Sequence, residues 1–595
     1  MKTMIQKTSK KTMLLAVLLL MTMAAQAQSG LHKVDWRKAR ITDVGAYMLD
    51  LHLEEQLNNQ TQQTDTVMVN HSRVVWQSEG YDITDIEKNP TLLEGESMNL
   101  PDASTGDEEL DTQVNFLHKG SRRVLDYETG AVVRQKGNLK SSVFQNFYYN
   151  VFSFEYPSVD ADGNPITLSA MCACPLGGVK RVNNIILGTH ITITANRERP
   201  SAQTGDWNTK DWGMIFALAA GNKLEYKSWW YFLRYLGTWA LETVVGTIVS
   251  IVKDAKNAGS SANFNHDLVI MPDYEGYGVT SDRAHPYLYQ ELTARQCLDA
   301  LLYGIALYES SPDVESIRVP IRSNYRSMVT GYSQGGSVAM ACHRFIEQNG
   351  LQKELHFTGS YCGDGPYDPM ATLMYYIKQD LAGKVMEMPV VLPLIVKGML
   401  DSNPYMTTHK AEDYFTPAFL STGIMDWLAS KEKSTDNIDD GFQAAYNAGN
   451  TIFNSSGRCM LRNIMNKECY DYFKALYDQY KNSYTNAAGI PLPTHRGVME
   501  DLHYALESNN LTKGWKPSKK LILFHSEDDP VVPYDNAISA VNRFGKDNVE
   551  TWFCDGKNHV DAGEFFFSQS KNYNVVIFDG LLLNDMVDDL CSKDY

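Results

Sequence analysis

Short apolar runs alternate with stretches of helical period over residues 143–369 and again over 516–595. No other feature limits this chain so strongly. A strand that is apolar along its whole length must be covered on both faces, and the helix that follows it must cross back over the sheet before the next strand begins. "NNIILGTH" (183–190), "HDLVIMPDYEGYG" (266–278), "YRSMVTGYS" (325–333), "LHFTGSYCG" (355–363), "KLILFHSEDD" (520–529) and "VETWFCDGKNH" (549–559) read as such strands. "ELTARQCLDALLYGIALYES" (291–310), "SVAMACHRFIEQNG" (337–350) and "AISAVNRFG" (537–545) read as helices between them, and "FDGLLLNDMVDDL" (578–590) continues the alternation. The order predicts an α/β class with a mostly parallel sheet and helices on both faces. "FYYNVFSFEYPSVDADGNPITLSAMCACPL" (147–176) adds two strands joined by an Asp/Gly/Asn/Pro turn.

Residues 370–515 break the pattern. "MATLMYYIKQDLAG", "VVLPLIVKGML" and "CYDYFKALYDQY" are helical and no strand stands out, so the region reads as an inserted helical cap between two late strands. Residues 28–142 are polar, with acidic runs such as "STGDEELDT" and no internal repeat, and read as an N-terminal extension without an assignable role. Residues 1–27 carry Lys2, Lys7, Lys10 and Lys11, then "MLLAVLLLMTM", then Ala25-Gln26-Ala27. That is the layout of a cleaved signal peptide, with an apolar run too short to span a bilayer, so an exported, periplasmic or secreted protein is expected. "FLRYLGTWALETVVGTIVSIV" (232–252) is long and apolar, but it holds Arg234 and Glu242, which are costly at bilayer depth; it reads as a buried helix or one near the mouth of a site.

The formal charge is −17, and losing four lysines with the leader makes the remainder more acidic. That balance argues against nucleic acid and anionic membrane surfaces as main partners. The nine cysteines are too sparse for a disulfide scaffold, and their odd number leaves at least one thiol unpaired. Cys459 and Cys469 are a possible pair. Cys172 and Cys174 lie two apart on a strand and so share a face, without the partners a zinc site requires. No phosphate loop, metal cluster or dinucleotide fingerprint is present, so no cofactor or metal is expected.

The chemistry concentrates at "VTGYSQGGSV" (329–338). A strand, then Gly-x-Ser-x-Gly, then a helix forms a sharp corner that lifts Ser333 clear of the backbone and aims the helix amides at it. A serine hydroxyl needs a base and an orienting carboxylate. In chain order the base should follow the acid, each on a loop after a late strand. His559 is the one histidine downstream of "HSEDDPVVP" (525–533). Asp528 and Asp529 both follow the strand "LILFH"; Asp529, nearer the stiffening Pro530 and Pro533, is the choice for the acid. His525 ends that strand and reads as structural. The amide of Gln334 is one expected oxyanion donor, and the second should come from the loop after "NNIILGTH", where His190, Ile191 and Thr192 are candidates.

"GYSQGG", "HSEDDPVVP", "GKNHVDAG" and "DYEGYG…HPYL" together resemble secreted esterases and lipases of the α/β-hydrolase superfamily, the secretory-lipase group in particular. The resemblance covers 143–369 and 516–595. It implies an α/β-hydrolase core with a helical cap, Ser333 as nucleophile, Asp529 as acid, His559 as base and an ester as substrate, small or lipid. Three departures stand out. The loop "THITITANRERPS" has no glycine after its histidine, Asn558 precedes His559 where glycine is usual, and an apolar insertion (212–252) precedes "HDLVIMPDYEG". Glu275 and Tyr277 could reach the site from the "PDYEGYG" loop, but a turn-stabilising role is the default.

A serine carboxylic-ester hydrolase is the leading expectation. A serine peptidase of the prolyl oligopeptidase kind would need a repeat-built propeller that 28–142 cannot supply. A hydrolase-like binding protein without catalysis would usually lack a member of the set. The cap is expected to lie over Ser333 and to line an apolar acyl pocket, with help from 232–252.

Overall fold

A computed structural model describes residues 34–49, 51–57, 64–70, 73–77, 147–174, 182–202 and 267–568. The leader, the apolar insertion 212–252 and "FDGLLLNDMVDDL" lie outside these residues.

The strands, in chain order, are β1 (Arg40–Leu49), β2 (Leu51–Leu57), β3 (Thr64–Asn70), β4 (Arg73–Gln77), β5 (Phe147–Val159), β6 (Pro165–Cys174), β7 (Val182–Thr189), β8 (Asp267–Pro272), β9 (Ile321–Tyr332), β10 (Phe357–Gly363), β11 (Lys520–Ser526) and β12 (Glu550–Cys554). Ten form one sheet in the order β12-β11-β10-β9-β7-β8-β6-β5-β1-β4, while β2 and β3 pair separately. From β8 to β12 every pairing is parallel. The pairings of β8–β6, β6–β5, β5–β1 and β1–β4 are antiparallel. The sheet therefore reaches into 34–77. Only a weak apolar pattern marks β1 and β4, and the outer end of an antiparallel sheet requires no more than that.

The main helices are α1 (Gln290–Ser310), α2 (Gln334–Gln348), α3 (Pro369–Leu381), α4 (Val391–Ser402), α5 (Thr435–Asn447), α6 (Lys467–Tyr480), α7 (Val498–Ser508), α8 (Asp535–Phe544) and α9 (His559–Ser568). Strand alternation on β10 displays the layering. Ser360 meets His343 of α2 on one face, and Tyr361 points to the other, where its ring stacks on Phe566 of α9 at 4.3 Å.

Helices α3 to α7 form the cap, and the strand-free reading of that region holds apart from two isolated bridges. The cap has an apolar core of its own, built around Met374, Phe419, Phe442 and Phe473, and separate from the sheet core around Phe154, Ile270 and Val329. Tyr287 and Leu288, from the loop before α1, belong to the cap core and so join the two bodies. Stability comes from these cores, since the eight described cysteines are all free thiols. Cys459 and Cys469 are unpaired, and Cys172 and Cys174 share a face with their sulfurs 3.9 Å apart. Among the described residues no helix is long and apolar enough to cross a membrane.

Candidate active site

Strand β9 ends at Tyr332 and α2 begins at Gln334, so one residue makes the corner. Ser333 has φ 57° and ψ −125°. A side chain rarely adopts such a backbone, which costs about 1–3 kcal/mol and persists only where the surroundings over-determine it. They do so here through close backbone approach. A Cβ on Gly331 would stand 2.4 Å from the carbonyl oxygen of Thr189, and one on Gly335 only 2.1 Å from it. The two glycines let the end of β7 press against the corner. The Ser333 amide donates to Gly363 O at 2.9 Å, and the Ser337 amide closes the first helical turn on Ser333 O.

His559 starts α9, directly after β12. Its Nε2 lies 2.9 Å from Ser333 Oγ and its Nδ1 2.5 Å from Asp529 Oδ2. Ser333, Asp529 and His559, predicted separately, are thus joined in one hydrogen-bonded chain, and all three are buried. Asp529 Oδ1 accepts the amides of Val531 and Val532 at 2.8 and 2.9 Å. Burial works against its charge, but the charge and hydrogen bond of His559, with a hydrogen bond from the Asp364 carboxyl, hold this carboxyl below the ordinary carboxylate range. The adjacent Asp528 is exposed and accepts the amide of Gly556 at 2.7 Å, which makes it a loop cap. His525 is fully buried and bonds Val532 O at 2.9 Å through Nε2, a structural role.

Ile191 and Thr192 line the same cavity as Ser333 and His559. Among the described residues neither of their amides finds an acceptor, nor does the amide of Gln334 at the helix start. His190 is turned away from the cavity: its ring stacks on Tyr274 at 3.9 Å, with Nδ1 on Ile191 O and Nε2 near Asp273 O. Thr192 Oγ1 meets Tyr287 Oη at 2.7 Å, and Tyr274 donates to His190 O. Glu275 is used by Arg283 and Gln296, and Tyr277 donates to Ile193 O, so both stabilise the turn.

The cavity holds about 520 Å³. Met388, Val390, Val391 and Ile395 of the cap form an apolar wall facing Val531 and Val532, and Arg197, Glu198, Thr435 and Asp436 make a polar end. The cap therefore both packs a core of its own and borders the cavity that contains Ser333. It is tied to the loop after β7 by four contacts: Asn196 N to Lys431 O, Thr194 Oγ1 to Lys433 O and Arg197 to Glu432 O, each at 2.7 Å, and Arg197 to Asn437 Oδ1 at 3.2 Å.

Three residues that the sequence reading passed over also shape the site. Tyr332 Oη lies 2.6 Å from the carbonyl oxygen of His559 and 2.8 Å from Asp364 Oδ2. Asp364 follows β10 as Asp529 follows β11, and an acid directly after an apolar strand on the same sheet edge as Ser333 was the available signal. His285, in "AHPYL", meets the Gln334 side chain at 2.6 Å. Burial pushes its imidazole down to about 3, so it is neutral and accepts from the amide.

No family model and no curated protein sequence matches the chain. Solved structures do. A protein of Legionella pneumophila, provisionally described as a hydrolase, aligns with a TM-score of 0.50 at 18% identity, over 76% of this chain and 94% of its own. The chain has the α/β-hydrolase fold. The rice cell wall degrading esterase LipA of Xanthomonas oryzae, in a ligand-bound form, aligns at 18% identity with a TM-score of 0.49, over 76% of this chain and 95% of its own. Candida antarctica lipase A in its closed state aligns at 13% and 0.43, over 73% and 78%. At 18% identity the likeness to the Legionella protein bears on the fold alone. Within that α/β-hydrolase fold, Ser333, Asp364, Asp529 and His559 all sit at the carboxyl edge of the parallel strands, where open α/β sheets place their sites.

Proposed function

We propose that the protein is a serine hydrolase of carboxylic esters that works through an acyl-enzyme intermediate. The observation that carries this reading is the continuous chain from Asp529 through His559 to Ser333 Oγ, with the serine on a positive-φ corner. Asp529 accepts Nδ1–H, which leaves Nε2 as the base facing the hydroxyl. Attack of Oγ on the ester carbonyl passes the hydroxyl proton to Nε2, and that proton then leaves with the alcohol. Water, deprotonated by the same nitrogen, releases the acid and restores Ser333. Negative charge on the carbonyl oxygen is met by the amide of Gln334 and by an amide of Ile191 or Thr192. The apolar cap wall suits the acyl chain of a small or lipid ester. The leader-like first 27 residues support export.

A fluorophosphonate probe and p-nitrophenyl esters test the proposal. The wild-type protein should be labelled at Ser333 and turn over the ester. Ser333→Ala should lose both while melting within a few degrees of wild type, because a single hydroxyl contributes little stability. A folded Ser333→Ala protein that kept its turnover would end the reading.

A further inference from the structure

Behind the three residues lies a second carboxyl that the mechanism above does not use. Asp364 is fully buried, and one of its oxygens, one of Asp529 and a ring nitrogen of His559 all lie within 4.8 Å of one another. Two carboxylates so close in a dry interior cannot both hold a charge. Hydrogen-bond counting says which one is neutral. Asp529 collects three N–H donors, from Val531, Val532 and His559. Asp364 has the amide of Ser526 at 3.1 Å on Oδ1, the phenol of Tyr332 at 2.8 Å on Oδ2 and a carboxyl–carboxyl hydrogen bond with Asp529.

The phenol is the deciding group. It owns one hydrogen and faces two oxygens, the Asp364 carboxyl and the carbonyl of His559 at 2.6 Å. The carbonyl can only accept. If Tyr332 gives its hydrogen to His559 O, the contact with Asp364 is made only when the carboxyl carries a proton. His525 points to the same assignment. Its Nε2–H goes to Val532 O, so Nδ1 turns a lone pair toward Asp364 Oδ1 at 3.8 Å, with no hydrogen-bond partner of its own. Burial drives that imidazole down to about 4, which keeps it neutral. Tyr367 and Cys554 complete the titratable groups around Asp364, and among the described residues no lysine or arginine pairs with it.

We infer that Asp364 is a neutral carboxylic acid, its one hydrogen lying between the Asp529 carboxylate and the Tyr332 hydroxyl, and that Tyr332 in turn holds the main-chain carbonyl of His559. Asp364 is a positioning residue: it touches neither substrate nor Ser333. It fixes the backbone that carries the base and leaves Asp529 as the single charge beside the imidazole. Burial and the Asp529 charge raise the Asp364 carboxyl well above the usual range, in accord with the geometry. The inference about positioning rests on the proposed role of His559, whereas the protonation state does not.

Asparagine is the discriminating substitution, since its NH2 can donate to Tyr332 while its oxygen still accepts from Ser526. Asp364→Asn should keep kcat/KM within about threefold and leave the acidic limb of the pH–rate profile in place, whereas Asp364→Leu should lower kcat by about tenfold or more at unchanged KM. An Asn variant whose acidic limb moved about one unit toward lower pH would show that a negative charge had been removed, and would overturn the inference. Infrared difference spectra at about pH 8, where ordinary carboxyls are ionised, give a readout free of turnover. The carbonyl stretch of an un-ionised acid should be present in wild type and in Ser333→Ala and missing from Asp364→Asn. Spectra without that difference overturn the inference even if Asp364→Leu fails to fold. Failure of fluorophosphonate labelling in wild type would instead overturn the catalytic reading and leave the infrared result standing.

Discussion

Replacing Asp529 with asparagine barely alters the shape of the site, yet it reverses a proton. The asparagine oxygen must stay on the amides of Val531 and Val532, which stand 2.8 and 2.9 Å from Oδ1 and can only donate. Its NH2 then takes the place of Oδ2, 2.5 Å from His559 Nδ1. An NH2 donates, so Nδ1 must become the acceptor and the imidazole hydrogen moves to Nε2. That nitrogen, 2.9 Å from Ser333 Oγ, now points a hydrogen at the group it should deprotonate. A base locked in the wrong tautomer lowers kcat by about 10⁴. Such a loss corresponds to about 5.5 kcal/mol of barrier. Asp528→Asn touches only an exposed loop contact to Gly556 and should stay within about twofold of wild type. Both variants can be assayed with p-nitrophenyl acetate, with thermal melts to establish that each is folded. If Asp529→Asn kept more than about a tenth of the wild-type rate, or Asp528→Asn were the more damaging change, the assignment of the acid would be wrong.

Three further outcomes follow from named contacts. Gly335→Ala sets a methyl against the Thr189 carbonyl, so it should cost about 1–3 kcal/mol of stability and depress turnover; an unchanged melting temperature and rate would mean that the corner does not need this close approach. His503 is held down to about 4, first by burial and then by Lys513. Its folded value lies below the unfolded one of about 6.5, so the stability it contributes is present above that pH and is lost as pH falls through about 4. His503→Gln should therefore lose up to about 3 kcal/mol less than wild type between those limits in denaturant titrations, and parallel curves would refute the reasoning. Ile395→Trp fills part of the cap wall and should lower kcat/KM for an octanoate ester at least about tenfold more than for an acetate ester; equal losses would remove the wall from any part in chain-length preference.

The parts of the fold that sequence could give are those encoded over one turn or one strand. The β8 run "DLVIMP" is buried at every position, as its unbroken apolar text implies. The corner at Ser333 is encoded in six residues, and His559 was reachable because chain order and loop placement left one histidine. What escaped depends on register between strands distant in the chain. Asp364 matters because Gly363 pairs with Phe524, which sets the residue after β10 beside Ser526 and the loop that carries Asp529. No local pattern encodes that pairing. His285 escaped for a similar reason: its partner Gln334 lies across the junction of two loops.

The position of the cap follows from the same topology. In a parallel sheet every strand ends on one edge, so the loops after β7, β9, β10, β11 and β12 emerge together. Ser333, Asp364, Asp529 and His559 share a neighbourhood because each follows a strand, not because they are close in sequence. An insertion after β10 starts on that edge too, between the corner that holds Ser333 and the loop that holds Asp529. Helix α3 begins at Pro369, with Asp368 accepting the amide of Ala371, so the chain turns into helix a few residues beyond Asp364. From there the cap can bury its own apolar faces only by folding back across the edge, and Val390, Val391 and Ile395 come to border the cavity above the serine. Residue 431, near the middle of the insertion, docks through its carbonyl on Asn196 and through its ammonium on the carbonyls of Ser281 and Arg283. The loop that supplies Ile191 and Thr192 is thus held from the sheet side by β7 and from the cap side by Lys431. A substitution that loosens the cap should disturb the amides of Ile191 and Thr192 as well as the apolar wall of the cavity, because both rest on the same short segment.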